Sequence, residues 1–254
     1  MQLTLLGTGD VRQVPVYGCE CRACHNARQT PALRRKPCSA LLESGNLRLL
    51  IDGGLTDLCE RFQPGDLSGI LLTHYHMDHI QGLFHLRWGI NDHIPVYGPE
   101  DGGTGDDLKK HSGILDFQPE LTAFESFSPQ AGLSITPIPM QHSKPTFGYL
   151  FEQGSTRIAY LTDTVGLPPV SEAFLQQFEL DVVVIDTSLP PQPEPPRNHN
   201  DLSLSVAIFQ SLQPKQMVLT HLGHQMDEWL LDNTLPYQEI VVARDGMQIS
   251  STLI

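Results

Sequence analysis

The amino-acid sequence predicts an α/β fold in which two β-sheets pack face to face and helices cover their outer surfaces. Two comparable β-rich halves follow each other along the chain, each with a few helical segments. The longest apolar runs are only four or five residues long, which is typical of buried strands. His and Asp side chains repeatedly follow these runs. Because the His residues of both halves belong to one pattern, we expect a single domain over residues 1–254.

The first part of the chain is predicted to contain four strands, at residues 2–7, 38–44, 47–52 and 69–73. Residues 8–37 are expected to form a long irregular loop. The sequence Ser44-Gly45-Asn46 predicts a hairpin turn between the second and third strands. Apolar residues at 80, 83, 84 and 88 have helical spacing, so we place a helix after Asp78.

The rest of the chain is predicted to contain strands near residues 94–97, 121–125, 133–139, 147–152, 157–162, 181–186 and 216–220. A surface helix is expected over residues 170–179, and another from 201–203 to about 212. The proline-rich segment 190–200 is expected to be irregular, because proline fixes φ and lacks a backbone N–H donor.

The composition excludes some classes of protein. The chain is 40% hydrophobic and 18% charged, and no apolar run approaches the roughly 20 residues needed to cross a bilayer. The N-terminus shows no secretory signal, so we expect a cytoplasmic protein. A formal charge of −13 disfavours a protein that binds nucleic acid over a wide surface. A small anionic substrate stays possible, because two divalent cations would invert the local field.

Four metal-binding side chains lie in the six residues of the run HYHMDH: His74, His76, Asp78 and His79. His74 and His76 are two residues apart, so both point to the same side of an extended backbone. Asp78 and His79 lie at the turn into the predicted helix and can face a second point. This arrangement predicts a hydrolase with two neighbouring cations, which bind the attacking and leaving oxygens of a displacement.

Three further candidate ligands each follow a predicted strand: His142, Asp163 and His221. The repeated pattern favours one site that all three complete. Asp163 suits a bridging role, because a carboxylate has two oxygens to share between cations. Asp52 follows the run LRLLI, and we interpret it as an acceptor that orients a His ligand, with a plain turn role as the alternative.

Three of the five cysteines, Cys19, Cys21 and Cys24, are crowded into the early loop. In a chain without a secretory signal, crowded cysteines more often bind metal than form disulfides. Cys38 and Cys59 lie in otherwise apolar stretches, and we expect both to be inert core residues.

The motif H-x-H-x-D-H, followed by single His, Asp and His residues at strand ends, resembles the metallo-β-lactamase superfamily. The match extends from Asp52 to His221 and implies an αββα sandwich with two metal ions, but no particular substrate. By this resemblance one ion is bound by His74, His76 and His142, the other by Asp78, His79 and His221, and Asp163 bridges them.

Longer stretches resemble one branch of the superfamily, the phosphoribosyl cyclic phosphodiesterases of the carbon–phosphorus lyase pathway. They are GCECRAC at 18–24, LLTHYHMDHIQGLFHLRWG at 71–89, IPVYGP at 94–99, HSKPTFGYL at 142–150, PRNHNDL at 196–202 and LTHLGHQMD at 219–227. The resemblance implies hydrolysis of 5-phosphoribosyl 1,2-cyclic phosphate to ribose 1,5-bisphosphate in phosphonate catabolism. Mn²⁺ is the implied catalytic ion, although carboxylate and imidazole ligands also accept Zn²⁺.

The same branch carries a structural zinc ion, whose implied ligands here are Cys19, Cys21, Cys24 and His224. A Cys₃His set forms a closed tetrahedral site. The ion would tie the loop around residues 18–37 to the segment just after His221. From the residues alone His25 competes with His224, and the resemblance favours His224.

His199 lies in the proline-rich segment. We assign it a catalytic role together with Asp78, and expect it to donate a hydrogen bond to the phosphate or a proton to the leaving oxygen. Lys144, just past a predicted ligand, is a candidate contact for a phosphate group. Leu189 stands where the branch is expected to have a His, at a position that we do not count as a ligand.

Other functions stay open at this point. A ribonuclease Z-like phosphodiesterase would share the metal core, but it should carry a basic, glycine-rich arm, and neither the arm nor the charge is present. A thioester or lactone hydrolase is a second alternative. A non-catalytic cofactor-biosynthesis relative is a third, although its metal motif would be degraded. The expected partner is a small phosphorylated sugar, with no nucleic acid and no membrane, and relatives suggest a homodimer.

Overall fold

Two seven-stranded β-sheets form the centre of the protein in the computed structural model, which describes residues 1–103, 105–194 and 196–250. The first sheet contains β1 (Gln2–Gly7), β2 (Ser39–Ser44), β3 (Leu47–Ile51), β4 (Gly69–Leu71), β5 (Ile94–Tyr97), β6 (Leu115–Phe117) and β14 (Met247–Ser250). The second contains β7 (Phe127–Gln130), β8 (Leu133–Pro139), β9 (Phe147–Gln153), β10 (Thr156–Leu161), β11 (Val182–Asp186), β12 (Gln216–Thr220) and β13 (Ile240–Val242). Their spatial orders are β14-β1-β2-β3-β4-β5-β6 and β13-β12-β11-β10-β9-β8-β7.

Helices cover the outer face of each sheet. On the first sheet these are α2 (Leu58–Arg61), α3 (Met77–Ile80), α4 (Leu83–Leu86) and α5 (Asp106–Lys110). On the second they are α6 (Pro169–Leu175), α7 (Leu202–Leu212) and α8 (His224–Trp229). A further helix, α1 (Arg22–Gln29), contacts α8. No helix in these described ranges is both long and apolar enough to cross a membrane.

Strand β11 shows why the layers form. Successive strand side chains point to opposite faces, so Val182 and Val184 enter the core between the sheets, whereas Val183 and Ile185 face the outer helices. Both faces are covered, and this explains why the run is apolar throughout. The predicted fold class, two face-to-face sheets flanked by helices, is confirmed.

The predicted hairpin is also confirmed. Strands β2 and β3 pair antiparallel, and Gly45 and Asn46 form the turn between them. Gly45 has φ +55°, a left-handed conformation that glycine adopts without the steric cost of a Cβ atom.

The single helix expected after Asp78 is instead divided into α3 and α4. Gly82 lies at the break, and its N–H donates to the carbonyl oxygen of Gly53 at 2.8 Å. A Cβ atom at this position would lie 1.9 Å from the carbonyl oxygen of Leu55. The backbones therefore approach so closely that only glycine fits, and helical spacing alone does not reveal such a contact.

Two other predictions need correction. Residues 8–37 are not wholly irregular, because α1 begins after Cys21, whose sulfur accepts a hydrogen bond from the Cys24 N–H and caps the helix. The strand expected at 121–125 is wrong, since Phe124 adopts φ +62° and its ring packs 4.9 Å from that of Phe174. Pro195 lies outside the described residues, and the rest of the 190–200 segment contains neither helix nor strand, as expected.

Six strands end at one edge of the sandwich. In the first sheet β3 and β4 are parallel, and in the second β10, β11 and β12 are parallel, with β8 pointing the same way through two antiparallel pairings. Each of these strands ends at or runs into a candidate site segment. This common edge gathers residues that are far apart in the sequence.

Candidate metal centre

Three imidazoles form a first group of donors. His74 Nε2 lies 2.8 Å from His76 Nδ1, and His142 Nε2 lies 3.0 Å from the same His76 atom. Asp163 Oδ2 is 3.6 Å from His74 Nε2 and 3.8 Å from His142 Nε2. These four donor atoms lie within 4.8 Å of one another, so they could hold one cation as predicted.

Asp78, His79 and His221 form a second group beside the first. The Nε2 atoms of His79 and His221 both lie 3.6 Å from Asp78 Oδ2, and they lie 3.2 and 3.4 Å from Asp163 Oδ2. Both Nε2 atoms are buried and have no hydrogen-bond partner among the described residues. An unpartnered buried polar atom is costly, and a bound cation removes that cost. The donor set thus fits a divalent metal ion.

Asp163 lies between the two groups, its bridging role stays a prediction, and its two oxygens face different partners. Its Oδ1 atom accepts a hydrogen bond of 2.6 Å from the Thr162 hydroxyl. Only Oδ2 faces imidazole nitrogens of both groups. A bridge between two cations would therefore use one shared oxygen instead of one oxygen for each cation.

In His79, His74 and His142 the other ring nitrogen, Nδ1, is held by a neighbour. Asp52 Oδ2 lies 2.7 Å from His79 Nδ1, which places Asp52 where an orienting acceptor was expected. Thr73 Oγ1 is 3.0 Å from His74 Nδ1, and the carbonyl oxygen of Asn198 is 3.0 Å from His142 Nδ1. Such contacts keep hydrogen on Nδ1 and leave the Nε2 lone pair free for a metal ion.

Two residues of the site, one orienting carboxylate and one candidate ligand, have an unusual backbone. Asp52 has φ +59° and His221 has φ +55°, although neither is glycine. Non-glycine residues in the left-handed region cost about 1–3 kcal/mol and persist where the surrounding structure fixes them. Both residues are almost fully buried at the strand-end edge.

The two groups differ in protonation. Burial lowers the pKa of His74 well below its usual value, and burial together with His142 lowers the pKa of His76 to about 4. Their rings are neutral near pH 7, the form that binds metal. Burial alone would also lower the pKa of His79 and His221, but Asp163 outweighs it and raises both well above the usual value.

His199 is placed beside the two groups. Its ring stacks on that of His221 with centroids 4.8 Å apart, and its Nδ1 atom lies 2.8 Å from Asp186 Oδ2. Burial alone would lower the pKa of His199, but Asp186 outweighs it and raises the pKa. The side chain is 29% exposed, so a substrate can reach it.

The cysteine cluster forms apart from these groups. The sulfur atoms of Cys19 and Cys21 lie 3.3 and 3.5 Å from His224 Nδ1, and Cys24 completes a set of four ligand atoms within 4.8 Å. His25 is exposed on α1 and is not part of this set. Three thiols and one imidazole at this spacing fit a tetrahedral zinc site.

Four other sequence predictions have mixed outcomes. Cys38 is buried as expected, whereas Cys59 is exposed, so its assignment to the core is wrong. Lys144 lines a cavity of about 540 Å³ together with Glu100 and Glu120, and its contact with a phosphate stays a prediction. Leu189 makes a backbone contact, in which its carbonyl oxygen accepts from the Leu202 N–H at 3.0 Å.

Sequence reasoning missed three residues that contact the predicted ones: Thr73, Asp186 and Ser188. Ser188 Oγ lies 2.9 Å from His221 Nδ1 and 3.0 Å from Asp186 Oδ1. Asp186 ends β11, so the strand-then-carboxylate pattern that identified Asp163 could have found it. Hydroxyl residues at strand ends are common, and no such pattern singles out Thr73 or Ser188.

Comparison with known proteins identifies the family and the fold. Residues 48–222 match the family described as the β-lactamase superfamily domain. A diphosphatase from the PhnP family has a structure similar to this one, with a TM-score of 0.81, 28% identity, and coverage of 98% of this chain and 97% of the other. The short form of human tRNase Z shares the fold, with a TM-score of 0.69, 21% identity, and coverage of 98% and 99%.

A curated relative differs in length. An octanoyltransferase of Porphyromonas gingivalis is 25% identical over 244 residues, which are 88% of this chain but only 46% of that protein. This chain therefore spans about half of that relative.

Proposed function

The chain belongs to the β-lactamase superfamily, and on that premise we propose that it is a two-cation phosphodiesterase acting on 5-phosphoribosyl 1,2-cyclic phosphate. The product is ribose 1,5-bisphosphate. The observation that carries this proposal is the convergence of imidazoles from both groups on Asp163 Oδ2, with His199 stacked alongside. The similarity over nearly the whole chain to a PhnP-family diphosphatase supports phosphate as the reacting group.

When bound, two divalent ions would ionise a water molecule near neutral pH and offset the charge on the phosphate oxygens. The first would be held by His74, His76 and His142, the second by Asp78, His79 and His221, and Asp163 would contact both. Mn²⁺ is the proposed catalytic ion, with Zn²⁺ as the alternative.

The chain itself supplies the proton for the leaving oxygen. Asp186 fixes His199 Nδ1, so Nε2 is the nitrogen left to donate. The raised pKa of His199 keeps that proton in place until the ring of the substrate opens. Asp78 stays ionised, because His221 and His79 lower its pKa although burial opposes them, and its carboxylate can accept a hydrogen bond from the attacking water.

A diphosphatase activity is the second candidate, favoured by the name of the PhnP-family structure. Cleavage of a phosphoanhydride needs the same two cations and the same acid. It differs in the leaving group, which is a phosphate oxygen instead of a sugar hydroxyl.

The test is a comparison of kcat/KM for four substrates: the cyclic ribosyl phosphate, a diphosphate ester, a precursor tRNA and an acyl thioester. We expect the cyclic phosphate to be turned over best, in the presence of Mn²⁺ or Zn²⁺. A preference for the diphosphate ester would favour the second candidate. Turnover of only the tRNA or the thioester would contradict both.

A further inference from the structure

Two buried carboxylates near the metal centre share an arrangement. Asp52 accepts directly from His79 Nδ1 at 2.7 Å, and its Oδ2 atom also lies 2.8 Å from the Thr73 hydroxyl. That hydroxyl lies 3.0 Å from His74 Nδ1. One carboxylate thus contacts one imidazole directly and a second imidazole through a hydroxyl group.

Asp186 repeats this arrangement on the second sheet. It accepts directly from His199 Nδ1 at 2.8 Å, and its Oδ1 atom lies 3.0 Å from the Ser188 hydroxyl. Ser188 Oγ lies 2.9 Å from His221 Nδ1. The residues that form both arrangements, apart from His199, are almost fully buried, so water does not compete for these contacts.

The number of available hydrogens determines which atom donates and which accepts in each arrangement. A Ser or Thr hydroxyl carries one hydrogen, and an ionised carboxylate can only accept. When Thr73 donates to Asp52, its oxygen must accept from His74 Nδ1–H. The same argument applied to Ser188 places the hydrogen of His221 on Nδ1. In both rings the Nε2 lone pair is then free to face a cation.

We propose that Thr73 and Ser188 are positioning residues that extend the orienting effect of each carboxylate to a second imidazole. Asp52 then orients one ligand of each cation group, His79 directly and His74 through Thr73. Asp186 orients His199 directly and His221 through Ser188. Two carboxylates thereby orient three candidate ligands and the proposed acid. Only the part that concerns His199 rests on the proposed function.

The first experiment measures zinc affinity by competition with a chelator. Thr73→Val and Ser188→Ala remove the hydroxyls, and we expect each to weaken zinc binding by about 10-fold or more, as loss of an orienting partner does elsewhere. Thr220→Val is the matched control, because Thr220 is fully buried and precedes His221 in the chain. Its hydroxyl contacts Cys38 Sγ at 3.8 Å instead of an imidazole. Affinities equal to that of the control would overturn the proposal.

The second experiment reads the imidazole tautomers directly, by nitrogen NMR of the zinc-loaded protein. We expect Thr73→Val to alter the signals of His74, and Asp186→Asn to alter those of both His199 and His221. Ser188 Oγ also lies 2.8 Å from the carbonyl oxygen of His221, a competing acceptor for its hydrogen. Unchanged His221 signals in Asp186→Asn would therefore show that Asp186 does not orient His221 through Ser188.

These readouts need no substrate. Absence of phosphodiester turnover together with the expected NMR changes would count against the proposed function and leave the positioning roles intact. Normal turnover of the phosphodiester, with unchanged tautomers and zinc affinities, would count against the positioning roles and leave the proposed function intact.

Discussion

His199 is the residue on which the proposed chemistry depends most directly. It stacks on His221 and is held by Asp186, and its ring nitrogen also lies within 4.8 Å of ligand atoms of Asp163, Asp186 and His221. We expect His199→Ala to lower kcat by about 10²- to 10⁴-fold, the usual contribution of a general acid, with the bound metal unchanged. Loss of metal together with activity, measured by elemental mass spectrometry, would assign His199 to cation binding instead.

Asp163 is expected to behave differently. Its Oδ2 atom is the oxygen shared by both groups, so Asp163→Ala should lose at least one of the two catalytic ions as well as activity. The cysteine cluster does not involve Asp163, so zinc binding at that proposed site serves as the internal control. A variant that retains both catalytic ions would contradict the bridging role.

Cation binding to the second group should depend on pH. The raised pKa of His79 and His221 means that a cation must displace protons there near neutral pH, so binding strengthens as pH rises and weakens as it falls. The first group changes little above about pH 6, because the pKa of His76 is already lowered to about 4. Calorimetry in buffers of different ionisation enthalpy counts the released protons, and zero release at the second group would contradict this.

At this scale the candidate ligands and the orienting carboxylate Asp52 were predicted, whereas Thr73, Asp186 and Ser188 were not. His142, Asp163 and His221 each follow a strand, and this pattern can be read from the order of residue types. The roles of Thr73 and Ser188 depend on hydrogen-bond distances across residues that the sequence does not relate. The same limit applies to Asp163, whose single facing oxygen follows from its contact with Thr162.

Among the helices and strands, the break between α3 and α4 leads to a specific prediction about stability. A methyl group at Gly82 would lie 1.9 Å from the carbonyl oxygen of Leu55, and backbone cannot yield as a flexible side chain can. We expect Gly82→Ala to destabilise the fold by about 1–3 kcal/mol or more and to weaken metal binding through displacement of α3. Denaturant unfolding measures the loss of stability. Gly98→Ala serves as the control, because there the added atom would meet Leu72 Cβ at 3.1 Å.

An equal midpoint for the two variants would show that the close approach at Gly82 is not needed. Most strand positions were predictable because their apolar runs are buried on one or both faces. The strand expected at 121–125 is wrong, and the short strands β6, β7, β13 and β14 were not predicted. The helices were less predictable, since α1 begins at a cysteine cap, and α3 ends and α4 begins on either side of the tertiary contact at Gly82.

For the whole molecule, each cation group draws ligands from both sheets. His74 and His76 follow β4, whereas His142 and Asp163 follow β8 and β10. Cation binding therefore connects the sheets, and a ligand that binds only the folded state stabilises it by about 2.7 kcal/mol at 100 times its Kd. We expect a chelator to lower the denaturant midpoint of wild type and to have a smaller effect in Asp163→Ala, as measured by circular dichroism. Equal effects in both would mean that the cation dependence comes from the cysteine cluster.

The net charge of −13 is also a property of the whole molecule, and it affects which ligands approach. It favours the approach of divalent cations and disfavours a long polyanion such as tRNA, whose binding needs many Lys and Arg contacts. A small phosphorylated sugar presents only a few charges, which bound cations can offset locally.

The hairpin turn at Gly45 and Asn46 lies at the opposite end of β3 from Asp52, because β3 runs from the turn towards the metal centre. Asn46 is exposed, and nothing lies within 4 Å of an atom added at Gly45. A fluorescent dye or an immobilisation tether attached there would stand a full strand length away from the chemistry. The turn is thus a practical handle for following cation loading or substrate capture on single molecules without obstructing the entrance to the site.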